Sequence, residues 1–195
     1  LAAIRASGGA VRFLSGTITS PTTRNSVEQF LERFRDARHV IYDPLSSSAI
    51  LDAHERTHGA RILPRYQFGR ADVIVSFDAD FLGTWISPVE YTAGYRAGRA
   101  LEAVPPRLSE HVQFESRMSL AGTKADRRFR VAPGEIGLVM SHLAAQVAGL
   151  AGVPFAAADL EAPPVPVRLL HELAQRLWRA RGRSLVVCGS QDESA

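Results

Sequence analysis

Apolar and polar positions along this chain alternate between strand-like runs and helix-like stripes. Val11-Arg12-Phe13-Leu14-Ser15 reads as a strand, followed by a loop from Gly16 to Pro21. Val27, Phe30, Leu31 and Phe34 then recur at helical spacing, which predicts a helix from Pro21 to Asp36 with one buried stripe. Ser20 is placed to cap it, with Pro21 in the first turn. His39 to Tyr42 reads as a second strand. It ends in the turn Asp43-Pro44-Leu45-Ser46-Ser47-Ser48, which leads into a short helix stopped by Gly59. Val73 to Phe77 runs without alternation, as a strand buried on both faces does.

Ser87-Pro88-Val89-Glu90 has the spacing of a capping box, and the helix it opens carries Tyr91 and Tyr95 on one face. Pro105-Pro106 breaks the chain. Val112 to Glu115 predicts a fourth strand. Residues 119–131 read as irregular, with a short strand at Phe129 to Val131. After Pro133-Gly134, the positions Ile136, Val139, Met140, Leu143 and Val147 predict a helix. An Ala/Pro-rich loop from Ala156 to Pro166 precedes a last helix with Leu170, Leu173, Leu177 and Trp178 on one face. That helix ends near Gly182, and Ser184 to Val187 enters another strand.

Strands alternating with helices predict an α/β fold with a mainly parallel sheet covered on both faces, read here as a single domain over residues 1–195. In such sheets ligands sit at the carboxyl ends of strands. Three strand ends here are rich in small and polar residues: Gly16 to Ser20, Asp43 to Ser46, and Asp78 to Thr84. Together they predict a nucleotide-sized site on one edge.

Composition narrows this only slightly. Hydrophobic residues make up 46% of the 195 positions and charged residues 22%, an ordinary globular balance. The net charge of +3 is too mild to argue for nucleic acid. No apolar run approaches the roughly 18 residues of a membrane span. The chain begins at Leu1, so it reads as a piece of a longer protein. Cys188, the single cysteine, rules out an internal disulfide framework, and equally a Cys-rich zinc site or an iron–sulfur cluster held by this piece alone.

Other chemistries can be weighed on motifs. One glycine in the loop 15–20 falls short of the G-x-G-x-x-G dinucleotide fingerprint, and no P-loop occurs. Asp78-Ala79-Asp80 matches the first half of the D-x-D-x-[TV] signature of haloacid-dehalogenase-like phosphatases, where Mg²⁺ assists an aspartyl nucleophile. Leu82 stands where Thr or Val belongs, and no later acidic pair is found; Asp159 and Glu161 are isolated. His54 and His58 share a helix face at i, i+4, but no fixed acidic partner completes a metal set.

Three stretches carry a resemblance: Ala71 to Glu90; His111 to Leu120 with Ala125-Asp126; and Arg130 to Glu135 before a buried helix. They are similar to the large iron–sulfur/molybdopterin-type subunit of alternative complex III, in the dimethyl-sulfoxide-reductase superfamily. The resemblance covers most of residues 10–190. It implies a Rossmann-like three-layer α/β/α domain, a fragment of a larger oxidoreductase subunit that is not catalytic by itself.

By resemblance, Asp78, Asp80, Gly83 and Thr84 take the place where molybdoenzymes cradle the guanosine end of molybdopterin guanine dinucleotide. Asp43 and Ser46 fall on the neighbouring loop, Gly16, Thr17, Thr19 and Ser20 on the first, and Arg117 after the next strand. Two segments depart from the family: Pro133-Gly134-Glu135-Ile136 replaces Pro-Gly-Thr-Asp, and Ala121-Gly122-Thr123-Lys124 replaces Thr-Gly-Ala-Asn. The alternative-complex-III subunit keeps the fold without the cofactor. The expectation is therefore a scaffold with a vestigial site and no cofactor in this fragment, the alternative being a live molybdopterin site. Iron–sulfur clusters would lie elsewhere in the parent chain. Implied partners are other domains and subunits of a membrane-bound, quinol-linked redox complex on the periplasmic face, with no nucleic acid and no membrane insertion by this piece.

Overall fold

The computed structural model describes residues 1–44, 48–155 and 161–190. The chain divides into two compact units, Leu1–Ser47 and Ser48–Ala195.

The first unit holds α1 (Ala2–Ser7), β1 (Ala10–Ser15), α2 (Pro21–Leu31) and β2 (Asp36–Ile41). β1 and β2 pair in parallel, from Ala10 opposite Asp36 to Ser15 opposite Ile41. Their burial alternates, so one face is covered and the other is open. Phe13 meets Phe30 edge-on with centroids 6.5 Å apart, and Phe30 lies 5.3 Å from Phe34. The Ser20 hydroxyl accepts from the Thr23 N–H at 3.3 Å, as the cap position requires.

Two boundaries differ from the sequence pattern. α2 stops at Leu31 rather than Asp36, because the N–H groups of Arg33 and Phe34 turn back to the Phe30 and Leu31 carbonyls. β2 accordingly starts three residues before His39. α1 has no apolar stripe and no buried residue, so periodicity gave no sign of it.

The second unit comprises α3 (Ser48–His58), β3 (Val73–Phe77), α4 (Pro88–Gly98), β4 (Glu110–Glu115), α5 (Leu120–Lys124), β5 (Arg127–Arg130), α6 (Ile136–Ala151), α7 (Val167–Arg179) and β6 (Ser184–Cys188). Short 3₁₀ turns lie at Phe68–Arg70 and Pro133–Glu135. The four strands form one parallel sheet in the order β5-β4-β3-β6.

All five residues of β3 are buried. Val73, Val75 and Phe77 join Val112 and Phe114 of β4 against α6 and α7, where Val139, Leu143, Leu170 and Leu173 are almost fully enclosed. Each such side chain contributes about 1.5–3 kcal/mol of burial. Ile74 faces the other way, into a cluster with Phe68, Phe81, Tyr91 and Tyr95. This is the expected Rossmann-like α/β/α layering.

Here too the local pattern misleads in places. The Ser87 side chain makes no capping bond, and the Glu90 side chain pairs with Arg65. Residues 119–131 are regular: Ser119 caps α5 by accepting from the Gly122 N–H at 3.0 Å, and β5 pairs with β4 from Val112–Arg127 to Glu115–Arg130. Part of the Ala/Pro loop, residues 156–160, lies outside the described residues.

Candidate functional site

Register places the site in the second unit. Phe77 pairs with Phe114 on one side and Cys188 on the other. The residues that follow, Asp78, Glu115 and Gly189, therefore emerge side by side at the carboxyl edge. They line a cavity of about 260 Å³ together with Asp80, Thr84 and Trp85. Ser116, Arg117 and Ser119 close it from the β4 side. The volume is just below the roughly 300–1,000 Å³ usual for small-molecule pockets, room for one end of a nucleotide and not for a dinucleotide.

Asp78 has φ of 50°, left-handed backbone that Asp tolerates better than most residues. Its N–H donates to the Phe114 carbonyl at 2.7 Å. Gly189 closes the third side with its N–H on the Phe77 carbonyl at 2.8 Å. A Cβ there would lie 2.7 Å from the Ala79 Cα, so only glycine fits. Ile86, a β-branched residue, has φ of 56° and ends the same loop. Strain at both ends of one loop is the pattern of a position fixed by its surroundings.

The carboxylates divide by role. Asp80 Oδ1 accepts from the Ala121 N–H at 3.1 Å, and the Asp80 carbonyl accepts from the N–H groups of Gly83, Thr84 and Trp85, each at 3.0 Å. Asp80 thus ties the β3 loop to the start of α5. Glu115 is only 1% exposed and accepts from four donors. These are the Ser119 hydroxyl at 2.6 Å, the Ser119 N–H at 3.2 Å, Gln113 Nε2 at 3.2 Å and Arg128 Nε at 2.5 Å. Burial pushes the Glu115 carboxyl up, but Ser119 and Arg128 outweigh it and hold it below its ordinary value.

Asp78 behaves oppositely. Burial, then the neighbouring Glu115 charge, push its carboxyl up; the Arg117 guanidinium and a Ser116 N–H only partly oppose this. Asp78 and Arg117 are the exposed charges at the rim. Trp85 is largely buried and stacks on Tyr66, and its indole N–H has no partner among the described residues.

Behind the cavity, Glu115 ends a buried polar ladder on one face of β4. Gln113 donates its amide N–H to Glu115, and this turns the Gln113 Oε1 toward His111 Nε2 at 3.1 Å. His111 Nδ1 lies 3.2 Å from the Tyr95 hydroxyl, and that hydroxyl also reaches the Lys124 carbonyl at 3.0 Å. Burial pushes His111 down to about 4, so it is neutral, and its one proton sits on Nε2 facing Gln113. Tyr95 therefore has one proton and two waiting acceptors.

The predicted residues sort as follows. Asp78, Asp80, Thr84 and Arg117 line the cavity. Gly83 packs on Asp80, where a Cβ would lie 2.9 Å from the carboxyl carbon. In the first unit, Asp43 accepts from the Thr17 N–H at 2.8 Å and from the Thr17 hydroxyl, and these two bonds hold its carboxyl below its ordinary value. Gly16 lies against that carboxylate. Ser20 is a helix cap, and Thr19 is an exposed loop residue. Ser46 lies outside the described residues. Glu115, Ser116, Ser119, Trp85 and Gly189 were not anticipated. Parallel register alone points to Glu115 and Gly189, since each directly follows or ends a strand beside β3.

Among the described residues no three His, Cys, Asp or Glu side chains gather as a metal-binding group. His54 and His58 stack on each other with centroids 5.0 Å apart. Cys188 Sγ accepts from the Ser190 N–H at 3.4 Å, and burial pushes its thiol up. Among the described residues no helix is long and apolar enough to cross a membrane. No protein-family model matches the chain, and no curated protein matches it.

Proposed function

We propose that this chain is the α/β domain of a molybdopterin-oxidoreductase-type subunit that acts as scaffold in a quinol-linked, membrane-associated redox complex on the periplasmic face. Its strand-end cavity is a nucleotide-type site turned largely to structural use. The observation that carries this reading is the commitment of Asp80 and Glu115 to internal donors. Two of the three carboxylates that could meet a guanosine instead hold α5 and Arg128. On this reading the fragment does no chemistry, and electrons travel through iron–sulfur clusters and partner subunits that belong to the rest of the complex.

A second reading, a working molybdopterin guanine dinucleotide site, draws on different atoms. The Asp78 carboxylate and the Arg117 guanidinium form an acceptor–donor pair suited to a base edge or a ribose. When bound, the cofactor would supply the two-electron chemistry, and these residues would only hold its nucleotide end. The phosphatase alternative finds no support in the geometry, because Asp80, its general acid, points at the Ala121 N–H.

Elemental analysis of the full-length parent protein for molybdenum, tungsten and iron, with a fluorescence assay for released oxidised pterin, tests both readings. Iron without molybdenum, tungsten or pterin is the expected result. Metal together with pterin would replace the scaffold reading with the second one. Absence of iron as well would remove the redox-complex assignment altogether.

A further inference from the structure

The opposite edge of the second unit's sheet carries a different kind of cavity. A cleft of about 620 Å³ opens at the amino ends of β3 and β6, within the range of small-molecule pockets. Its charged lining is three arginines, Arg70, Arg107 and Arg183, against a single carboxylate, Asp72. The cleft therefore carries two uncompensated positive charges.

Asp72 is fixed by the sheet. Its N–H donates to the Arg183 carbonyl at 2.7 Å, and its own carbonyl accepts from the Glu110 N–H at 2.8 Å. Its carboxylate then orients two guanidinium groups, Oδ1 with Arg107 at 3.2 Å and Oδ2 with Arg183 at 3.0 Å. Arg107 is further pinned by donating to the Gly69 carbonyl at 2.8 Å. Each of these arginines keeps donors that these bonds do not use. The exposed Arg70 side chain has no carboxylate partner among the described residues. Ser184 adds a neutral polar residue to the wall.

Arginine forks held in advance by a carboxylate are suited to a tetrahedral oxyanion, because the guanidinium plane offers two parallel donors and the ordering cost is already met. Helix carboxyl ends approach this edge of a parallel sheet and bring partial negative charge, so an anion gains nothing from helix dipoles there. The arginines alone supply the attraction. We propose that this cleft binds a small phosphate-bearing ligand of at least two negative charges, at a site separate from the strand-end cavity and independent of any cofactor there.

The test is calorimetric titration of the 195-residue chain with pyrophosphate at low ionic strength, with amide shifts of Gly182 and Ser184 followed by NMR. One saturable site is expected, with shifts confined to the cleft. Arg70→Ala removes no contact that the structure shows, so it should fold, and it should weaken binding roughly tenfold, the loss of about one charge-assisted pair. Arg70→Lys should recover part of that loss. Arg168→Ala, an exposed arginine on α7 whose side chain is 90% exposed, should change nothing.

Three results would overturn the proposal. One is the absence of saturable binding. Another is equal weakening by Arg70→Ala and Arg168→Ala, which would mark diffuse attraction only. The last is tighter binding of hexaglutamate than pyrophosphate through the same arginines, which would assign the cleft to an acidic protein segment.

Discussion

The paired ends of β1 and β2 bring together a glycine and an aspartate, Gly16 and Asp43, and the loop after β3 carries Asp80 and Gly83, but on different ground. β1 and β2 alternate between half-buried and exposed residues, and their carboxylate, Asp43, closes on Thr17 at the surface. β3 is buried along its whole length, β4 nearly so, and their carboxylates Asp80 and Glu115 reach backbone N–H groups and an arginine inside the fold. The same residue types thus form a surface latch in one unit and part of the internal frame in the other. Burial decides which, because a charge taken out of water has to be matched donor for donor.

The largest effect should therefore come from Glu115. Glu115→Ala would leave Arg128, Gln113 and Ser119 without their acceptor, and losing one partner of a buried pair costs about 3–5 kcal/mol. That corresponds to a fall in Tm on the order of 10 °C. Gly122→Ala should act through the same spot, since its Cβ would lie 2.6 Å from the Glu115 carboxyl carbon. The double variant should cost less than the two singles together, because shortening residue 115 makes the room that the new methyl group needs. Strict additivity in denaturant melts would show that the two residues do not share one space.

Acid should weaken the second unit next. Unfolded, His111 binds a proton near its ordinary 6.5; folded, not until about 4. Between those values the unfolded chain holds the extra proton, so stability falls as pH drops, by up to about 3 kcal/mol across the window. The charged groups facing His111 are Arg99, Asp126 and Glu115; Tyr95 and Gln113 complete the ladder. Both carboxyls are held below their ordinary values, Glu115 by Ser119 and Arg128 and Asp126 by Arg99, so their shares drain only at still lower pH. Urea melts followed by the fluorescence of Trp85 and Trp178 should lose stability between about pH 6.5 and 5, and His111→Phe should flatten that slope. An unchanged slope in the variant would place the sensitivity elsewhere.

These contacts also show why the sequence could be read only in part. The layering was legible because β3 is an unbroken apolar run and α7 carries its leucines at helical spacing. Asp78, Asp80 and Thr84 were legible as a strand end by the same logic, whereas Arg117 came only from the resemblance. α5 and the start of β5, before the strand expected at Phe129, were not legible, because their signal is long-range. Lys124's carbonyl waits for Tyr95, Asp80 supplies an acceptor from 41 positions away, and Arg127 to Arg130 lie in a strand only because β4 pairs with them. The Glu90 half of the Ser87 box failed for the same reason, since Arg65 claims Glu90 from outside the local window.

Asp80 and Asp78 give a contrast within one loop. Asp80→Ala strands the Ala121 N–H and should cost about 1.5–3 kcal/mol, as hydrogen bonds to charged groups do. Asp78→Asn should cost nothing and should raise stability slightly at pH values above the carboxylate range, where the wild-type residue is charged. Asn tolerates the left-handed backbone at least as well, and the change removes a carboxylate that burial and Glu115 both disfavour. A clear loss on Asp78→Asn would mean that its charge serves the fold, and the cavity would then have no carboxylate left over for a ligand.

The smallest effect should come from the latch of the first unit. Asp43 is a surface acceptor, and exposed pairs contribute little because water and salt compete for both partners. Asp43→Ala should leave the urea midpoint unchanged yet speed amide exchange at Thr17, whose N–H loses its acceptor. The wild-type protection of that amide should weaken as pH falls below the ordinary carboxylate range, because Thr17 holds the Asp43 carboxyl down and protonation ends that preference. A midpoint shift as large as that of Asp80→Ala would move Asp43 from surface latch to internal frame. The two loops would then be equivalent, and burial would not be what separates them.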